Sequence, residues 1–231
     1  MDVMTDLVEL DCNVLTVRQL NATLHTLPAG TAVRIVEPRG KHNLAVGISC
    51  ALDVTIAGNA GYFIGGLCDG AEVTVEGFVG WSAGENLISG TVRVKGNASE
   101  CTAASARGGL VVVEGDASSR AGISLKGGTV AVGGDAGHMC GFMAQAGTIL
   151  IGGNAGGSLG DSLYEAVIYV AGSVASLGAD ARFEELTEDD VNHVRQIATK
   201  AGFAHVSPED VTKVASARHL YNFDALKDQK Y

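Results

Sequence analysis

The segment VAVGGDAGHMCG, Val130 to Gly141, gathers residue types that could do chemistry. A strand-like run meets a glycine-rich turn, and His138, Met139 and Cys140 follow. Three chemistries are conceivable, and each makes a demand that the residues can be held to. A phosphate cradle needs G-x-G-x-x-G spacing opening into a helix. Gly133-Gly134-Asp135-Ala136-Gly137 lacks that spacing, and no helical pattern follows it. A metal site needs several converging ligands, yet the positions equivalent to His138 in neighbouring segments hold Tyr62, Trp81, Glu100, Ser119 and Gly157. A cysteine nucleophile needs an activated thiolate with a base in reach, and no motif around Cys140 supplies one. The expectation is a structural or interface histidine beside a buried free thiol.

Those equivalences come from an internal repeat, and the repeat dictates what positions every side chain. VTIAGNAG from Val54, VTVEGFVG from Val73, VRVKGNAS from Val92, VVVEGDAS from Val111, VAVGGDAG from Val130, ILIGGNAG from Ile149 and IYVAGSVA from Ile168 each start 19 residues after the last. Gly58, Gly77, Gly96, Gly115, Gly134, Gly153 and Gly172 share one column. A unit this short cannot bury its own apolar face, whereas stacked units build a continuous core. Each copy opens apolar, variable, apolar, then a turn, which is strand alternation. Val54 and Ile56, with their successors, are therefore expected to point inward. The chain is predicted to be all-β, a right-handed parallel β-helix of seven in-phase coils at about 4.8 Å spacing. VRIVEPRG from Val33 reads as a degenerate first coil.

Both ends of such a stack need covering. TVRQLNATLHTL has helical spacing at Val17, Leu20, Leu24 and Leu27, so residues 1–32 are expected to form an N-terminal cap around a short helix. Residues 33–180 form the solenoid. In residues 181–231 the glycine columns vanish and a helix is expected in LTEDDVNHVRQIATKAGF. Thr187 is its N-cap, Asp190 its third residue, and Val191, Val194, Ile197 and Ala201 its apolar face. An extended tail should follow.

Composition narrows the function. The formal net charge is −10 with basic residues scattered, which argues against nucleic acid or an anionic membrane as partner. Cys12, Cys50, Cys68, Cys101 and Cys140 form no C-x-x-C pair, so a reduced, cytoplasmic chain is expected. The opening MDVMTDLVELDC has no secretory pattern, and no apolar run reaches membrane-spanning length. Many β-helices cleave polysaccharides with clustered carboxylates and sugar-stacking aromatics. With aromatics at 5% and Trp81 the sole tryptophan, that activity is disfavoured. The column Asn59, Asn97, Asp116, Asp135, Asn154 lacks the nonapeptide calcium spacing. Such side chains suit tight turns and hydrogen bonds up the stack.

The outward positions change character along the scaffold. Between the inward residues lie Thr55, Thr74, Arg93, Val112, Ala131, Leu150 and Tyr169; just beyond lie Ala57, Glu76, Lys95, Glu114, Gly133, Gly152 and Ala171. The first coils are polar and the last apolar or small, so something covers the later end. The chain's own tail or a partner subunit would serve, and Leu150 and Tyr169 are the residues to test.

GHMCGFMAQAGTILIGGNAG, SSRAGISLKGG, ENLISGTVRVKG and LGDSLYEAVIYVAG resemble the glycine-rich β-helix domain that closes the large subunit of glutamate synthases, over about residues 50–180. RQLNATLH, GADARFEELTEDD and ARHLYNFDA make the whole chain more similar to the free-standing small subunit of glutamate-synthase-like complexes, of which N-methylglutamate synthase is the best-known assembly. A related domain occurs in formylmethanofuran dehydrogenase. The resemblance implies a non-catalytic scaffold beside two partners. A class II glutamine amidotransferase-like subunit would carry the nucleophile, and a synthase subunit would hold FMN and an iron-sulfur cluster. This chain would hold no cofactor or metal, and the resemblance assigns it no catalytic residue. Alternatives are a subunit of a different complex, such as a formyltransferase/hydrolase or formylmethanofuran dehydrogenase-like assembly, and a free-standing β-helix enzyme. The candidate interface side chains are Arg107, Arg120, Lys126, His138, Met139, Leu150, Asp161, Tyr164, Glu165 and Tyr169.

Overall fold

Valine and isoleucine at alternate positions give each coil one strand with two inward side chains, and the strands stack in phase. The computed structural model describes residues 7–217. β1 (Val8–Asp11), β2 (Ala32–Val36), β3 (Asp53–Ile56), β4 (Asp69–Val75), β5 (Ser89–Val94), β6 (Leu110–Val113), β7 (Lys126–Val132), β8 (Ala146–Ile151) and β9 (Val167–Val170) lie side by side in chain order. All these neighbours pair in parallel. The register is the 19-residue repeat itself: Val54 faces Val73, then Val92, Val111, Val130, Ile149 and Ile168. The fold is thus a parallel β-solenoid of about seven turns.

A second ladder of bridges runs through Val79, Ala98, Ala117, Ala136, Ala155 and Val174. Between the two ladders the core is filled in columns. Ile64, Ala83, Thr102, Ala121, Cys140 and Leu159, one coil apart, all have 0% exposure. Loss of these apolar contacts to water is what holds the stack together.

The glycine column has a specific cause. Asn59, Asn97, Asp116, Asp135 and Asn154 each turn Oδ1 toward the next coil and accept the backbone N–H of Phe78, Asp116, Asp135, Asn154 and Ser173, at 2.6 to 3.1 Å. The expected hydrogen bonds up the stack are therefore present. A Cβ on Gly115 or Gly134 would lie 2.1 Å from the Oδ1 of Asn97 or Asp116. The side-chain ladder occupies the space that a methyl group would need.

The caps are richer than expected. α1 (Val17–Leu24) starts at a Thr16–Gln19 capping box and buries Leu20 and Leu24. Its Asn21 side chain bonds the backbone of Asn43 and Val46. β1, however, is a full parallel partner of β2, so the segment before Val33 adds a rung as well as a cap. At the other end, α2 (Glu188–Ala201) starts at Thr187 with Asp190 in a reciprocal capping box and ends at Gly202, in the left-handed conformation at φ 83°. Around it the chain forms β10 (Ala181–Glu184) and β11 (Thr212–Ser216), which pair antiparallel, with β11 inserted against β9. The region expected to be a helix and an extended tail is therefore a helix between two strands. The last part of the expected tail, residues 218–231, lies outside the described residues. Among the described residues no helix is long and apolar enough to cross a membrane.

Candidate functional site

The corner that invites a chemical interpretation divides between surface and core. His138 is exposed, whereas Cys140 is fully buried in the small inward column. Burial pushes the Cys140 thiol up to about 12, so it stays protonated at neutral pH and is no nucleophile. Met139, at φ 58°, holds the left-handed turn that separates the two. Arg120, one coil earlier, has the same turn at φ 60° and donates its backbone N–H to the carbonyl of His138 at 2.9 Å. Among the described residues no group of three or more His, Cys, Asp or Glu side chains converges as a metal site would require.

The remaining candidates fall into two rows. Arg107, Lys126 and Tyr164 occupy one column, with Gln145 between them; the first two and Gln145 are exposed and Tyr164 is half-buried. Glu165 follows, exposed. Arg120, His138, Met139 and Asp161 belong to the adjoining face, where Asp161 is half-buried and its Oδ1 accepts the Ser162 hydroxyl at 3.0 Å. The Asp161 carbonyl also accepts the N–H of Met143 on the preceding coil. Asp161 is thus a corner residue bonded within the fold, while Arg107, Lys126, His138 and Glu165 present side chains to solvent.

Leu150 and Tyr169 are corrected as partner-contact residues. They are 0% and 3% exposed, covered by α2 of the same chain. Val194, Ile197, Ala198 and Ala201 of α2 join Phe203, Val206 and Val211 in packing on Val112, Ala131, Leu150 and Tyr169. The outward small residues mark the same footprint. A Cβ on Gly133 would lie 3.1 Å from the Phe203 ring, and one on Gly152 only 2.7 Å from His205 Nε2. His205 Nε2 makes a hydrogen bond to the Gly133 carbonyl at 2.9 Å. Arg93 holds the far end, donating to the last α2 carbonyls, Lys200 and Ala201, at 3.0 and 2.9 Å.

The near end is pinned by a buried polar cluster. Tyr169 Oη donates to Asp190 Oδ1 at 2.5 Å; Lys213 Nζ donates to Oδ2 at 2.9 Å, and the Thr187 N–H and hydroxyl do so at 2.8 Å. Burial opposes the Asp190 charge, but these donors outweigh it and hold the carboxyl well below the usual carboxylate range. Burial, then the bond and charge of Asp190, push the Tyr169 phenol up. The cluster satisfies the helix cap, a buried phenol and Lys213 together, so it is a fastening rather than an acid–base pair facing a cleft.

One exposed feature extends a 19-residue column by a residue outside it, His42. The rings of His42, Tyr62 and Trp81 stack on successive coils, with centroids 4.3 and 5.2 Å apart and planes within 22° and 11°. Tyr62 and Trp81 are 45% and 50% exposed, and Phe78, three residues before Trp81, is 53% exposed. A scan against protein-family models finds no match to this chain, and a search of curated proteins finds none either.

Proposed function

We propose that this chain is a non-catalytic scaffold subunit of a heteromeric glutamate-synthase-like enzyme of the N-methylglutamate synthase kind. In that role it holds a glutamine-amidotransferase-type subunit and an FMN/iron-sulfur synthase subunit in fixed relation. The observation that carries the proposal is the division of its side chains. The titratable groups with strongly shifted protonation, Cys140, Tyr169 and Asp190, are spent on core and cap, while Arg107, Lys126, His138 and Glu165 stand in solvent along regular columns. Functional sites are where perturbed groups and open space coincide, and here they are separated. A stack of in-phase coils whose faces carry regularly spaced side chains suits a role in contact. The motif resemblance points to the same assembly.

The test is tagged purification of the full chain from its native cells, with identification of the bound proteins and an absorption spectrum. Co-purifying amidotransferase-like and flavin-containing synthase-like subunits is the expected result. Amidohydrolase-like partners would move the chain to a formyltransferase/hydrolase assembly. A colourless, partnerless chain would overturn the proposal.

A further inference from the structure

The His42–Tyr62–Trp81 ladder is built into the fold rather than left over on its surface. Tyr62 donates its backbone N–H to His42 Nδ1 at 2.9 Å, which fixes the imidazole over the next coil. Gly61 and Gly80 lie where the rings rest: a Cβ there would come 2.0 Å from His42 Nδ1 and 2.4 Å from the Tyr62 ring. Scattered exposed apolar residues need no explanation, but a contiguous aromatic patch does. Here three rings stack in a row, and exposed Leu67 and Phe78 lie five residues after Tyr62 and three before Trp81.

The chemistry at the end of the ladder selects a partner. The position one coil beyond Trp81 is Glu100, and among the described residues no ring stacks on the face of Trp81 turned away from Tyr62. Glu85 follows Trp81 on its own coil. The Ser82 N–H donates to the Glu100 carbonyl at 2.9 Å and the Glu85 N–H to the Ser82 carbonyl at 3.3 Å, so both residues lie beside the turn that carries Trp81. Among the described residues neither Glu85 nor Glu100 makes an ion pair. The cations near the start of the ladder are engaged: Lys41 Nζ donates to the Cys12 carbonyl, and Arg39 pairs with Glu37.

We propose that this ladder is a docking surface for a protein partner that presents a basic segment, with an arginine guanidinium stacked on the open face of Trp81 and paired by Glu85 and Glu100. Guanidinium over indole is the strongest common cation–π pairing, and carboxylates beside it add charge-assisted hydrogen bonds. The chain's net charge of −10 favours such an encounter. A sugar chain needs a run of open ring faces, and with both faces of Tyr62 taken by its neighbours the stack offers Trp81 alone; nucleic acid is repelled by the carboxylates. The inference does not depend on which complex hosts the chain. If synthase subunits co-purify but no basic peptide binds, the ladder proposal fails alone. If the peptide binds without those subunits, only the host assembly is wrong.

Trp81 is the sole tryptophan, so its emission reports directly on the site. The full chain is titrated with a peptide alternating arginine and leucine, its glutamate–leucine counterpart, cellohexaose and oligothymidylate. The expected result is a saturable emission change with the arginine peptide only. Its affinity should fall about fivefold or more in the Glu85→Gln/Glu100→Gln variant, and also in Tyr62→Ala, which tests the stack separately. High salt should weaken it as well. An equal response to the glutamate peptide, cellohexaose or the oligonucleotide, no saturable response at all, or undiminished affinity in both variants would overturn the proposal.

Discussion

Replacing Gly115 by alanine adds one methyl group at a point where the solenoid has no room for it. The backbone angles of Gly115 are ones that any residue adopts, so the cost is purely one of space. The new Cβ would sit 2.1 Å from Asn97 Oδ1, which accepts the Asp116 N–H at 3.0 Å. Asn97 must therefore swing away and break that bond. Overpacking of this kind costs about 1 to 3 kcal/mol and the lost hydrogen bond about 1 kcal/mol, offset by about 0.4 to 1 kcal/mol from a stiffer unfolded chain. Gly96→Ala supplies the control. The preceding coil carries Phe78 in place of an asparagine, and the nearest atoms to a Cβ on Gly96 are backbone of Gly77 and Phe78 at 3.0 Å. Gly115→Ala should then be less stable than Gly96→Ala by about 2 kcal/mol. In an Asn97→Ala background the cost of Gly115→Ala should shrink, giving a coupling of about 1 kcal/mol or more. Urea unfolding followed by circular dichroism, with midpoint and slope fitted separately, measures the wild type and all four variants. Equal losses in the two glycine variants, or strict additivity with Asn97→Ala, would refute the idea that the asparagine ladder fixes the glycine column.

Two further outcomes follow from the buried groups. Asp190→Asn removes the nearer of the two carboxylates paired with Lys213, at 2.9 Å and with side chains only 11% and 14% exposed, and leaves Glu184 at 3.8 Å; it should cost about 2 kcal/mol in thermal or urea unfolding. Because the folded carboxyl of Asp190 titrates below its unfolded value, its contribution is present above about pH 4 and lost as pH falls further. The wild-type chain should therefore lose stability below about pH 4 more steeply than Asp190→Asn. Of the five free cysteines, Cys12, Cys68 and Cys140 are buried and Cys50 and Cys101 half-buried. An aromatic disulfide reagent at neutral pH should titrate no more than those two half-buried thiols in the folded chain and all five after denaturation. Fast reaction of Cys140 would contradict its place in the core column.

The solenoid was legible because the repeat is both a sequence property and a stacking register: the partners of Val54 and Val73 are the residues 19 positions away. The N-terminal rung β1 was not, since it pairs with β2 at a 25-residue offset around α1, out of phase with everything after it. The same holds for His42, which precedes Tyr62 by 20 residues and so drops out of the column that its ring completes. Ring stacking between coils tolerates a slip that a glycine column does not reveal. The need for a cover over Leu150 and Tyr169 could be seen in their apolarity, and the 14-residue α2 in its capping box. That the one covers the other is a tertiary contact 21 residues along the chain, between Tyr169 and Asp190, with no periodic trace. β10 and β11 are single antiparallel strands, so no repeat announces them.

The scaffold role that we propose for this chain in a glutamate-synthase-like complex is tested most directly by the mass and spectrum of what the chain brings down. Native-cell purification through a tag, followed by size-exclusion chromatography, should yield a yellow-brown heteromeric peak containing an amidotransferase-like and an FMN/iron-sulfur subunit. A colourless peak at the mass of the 23.6 kDa chain alone would contradict the account.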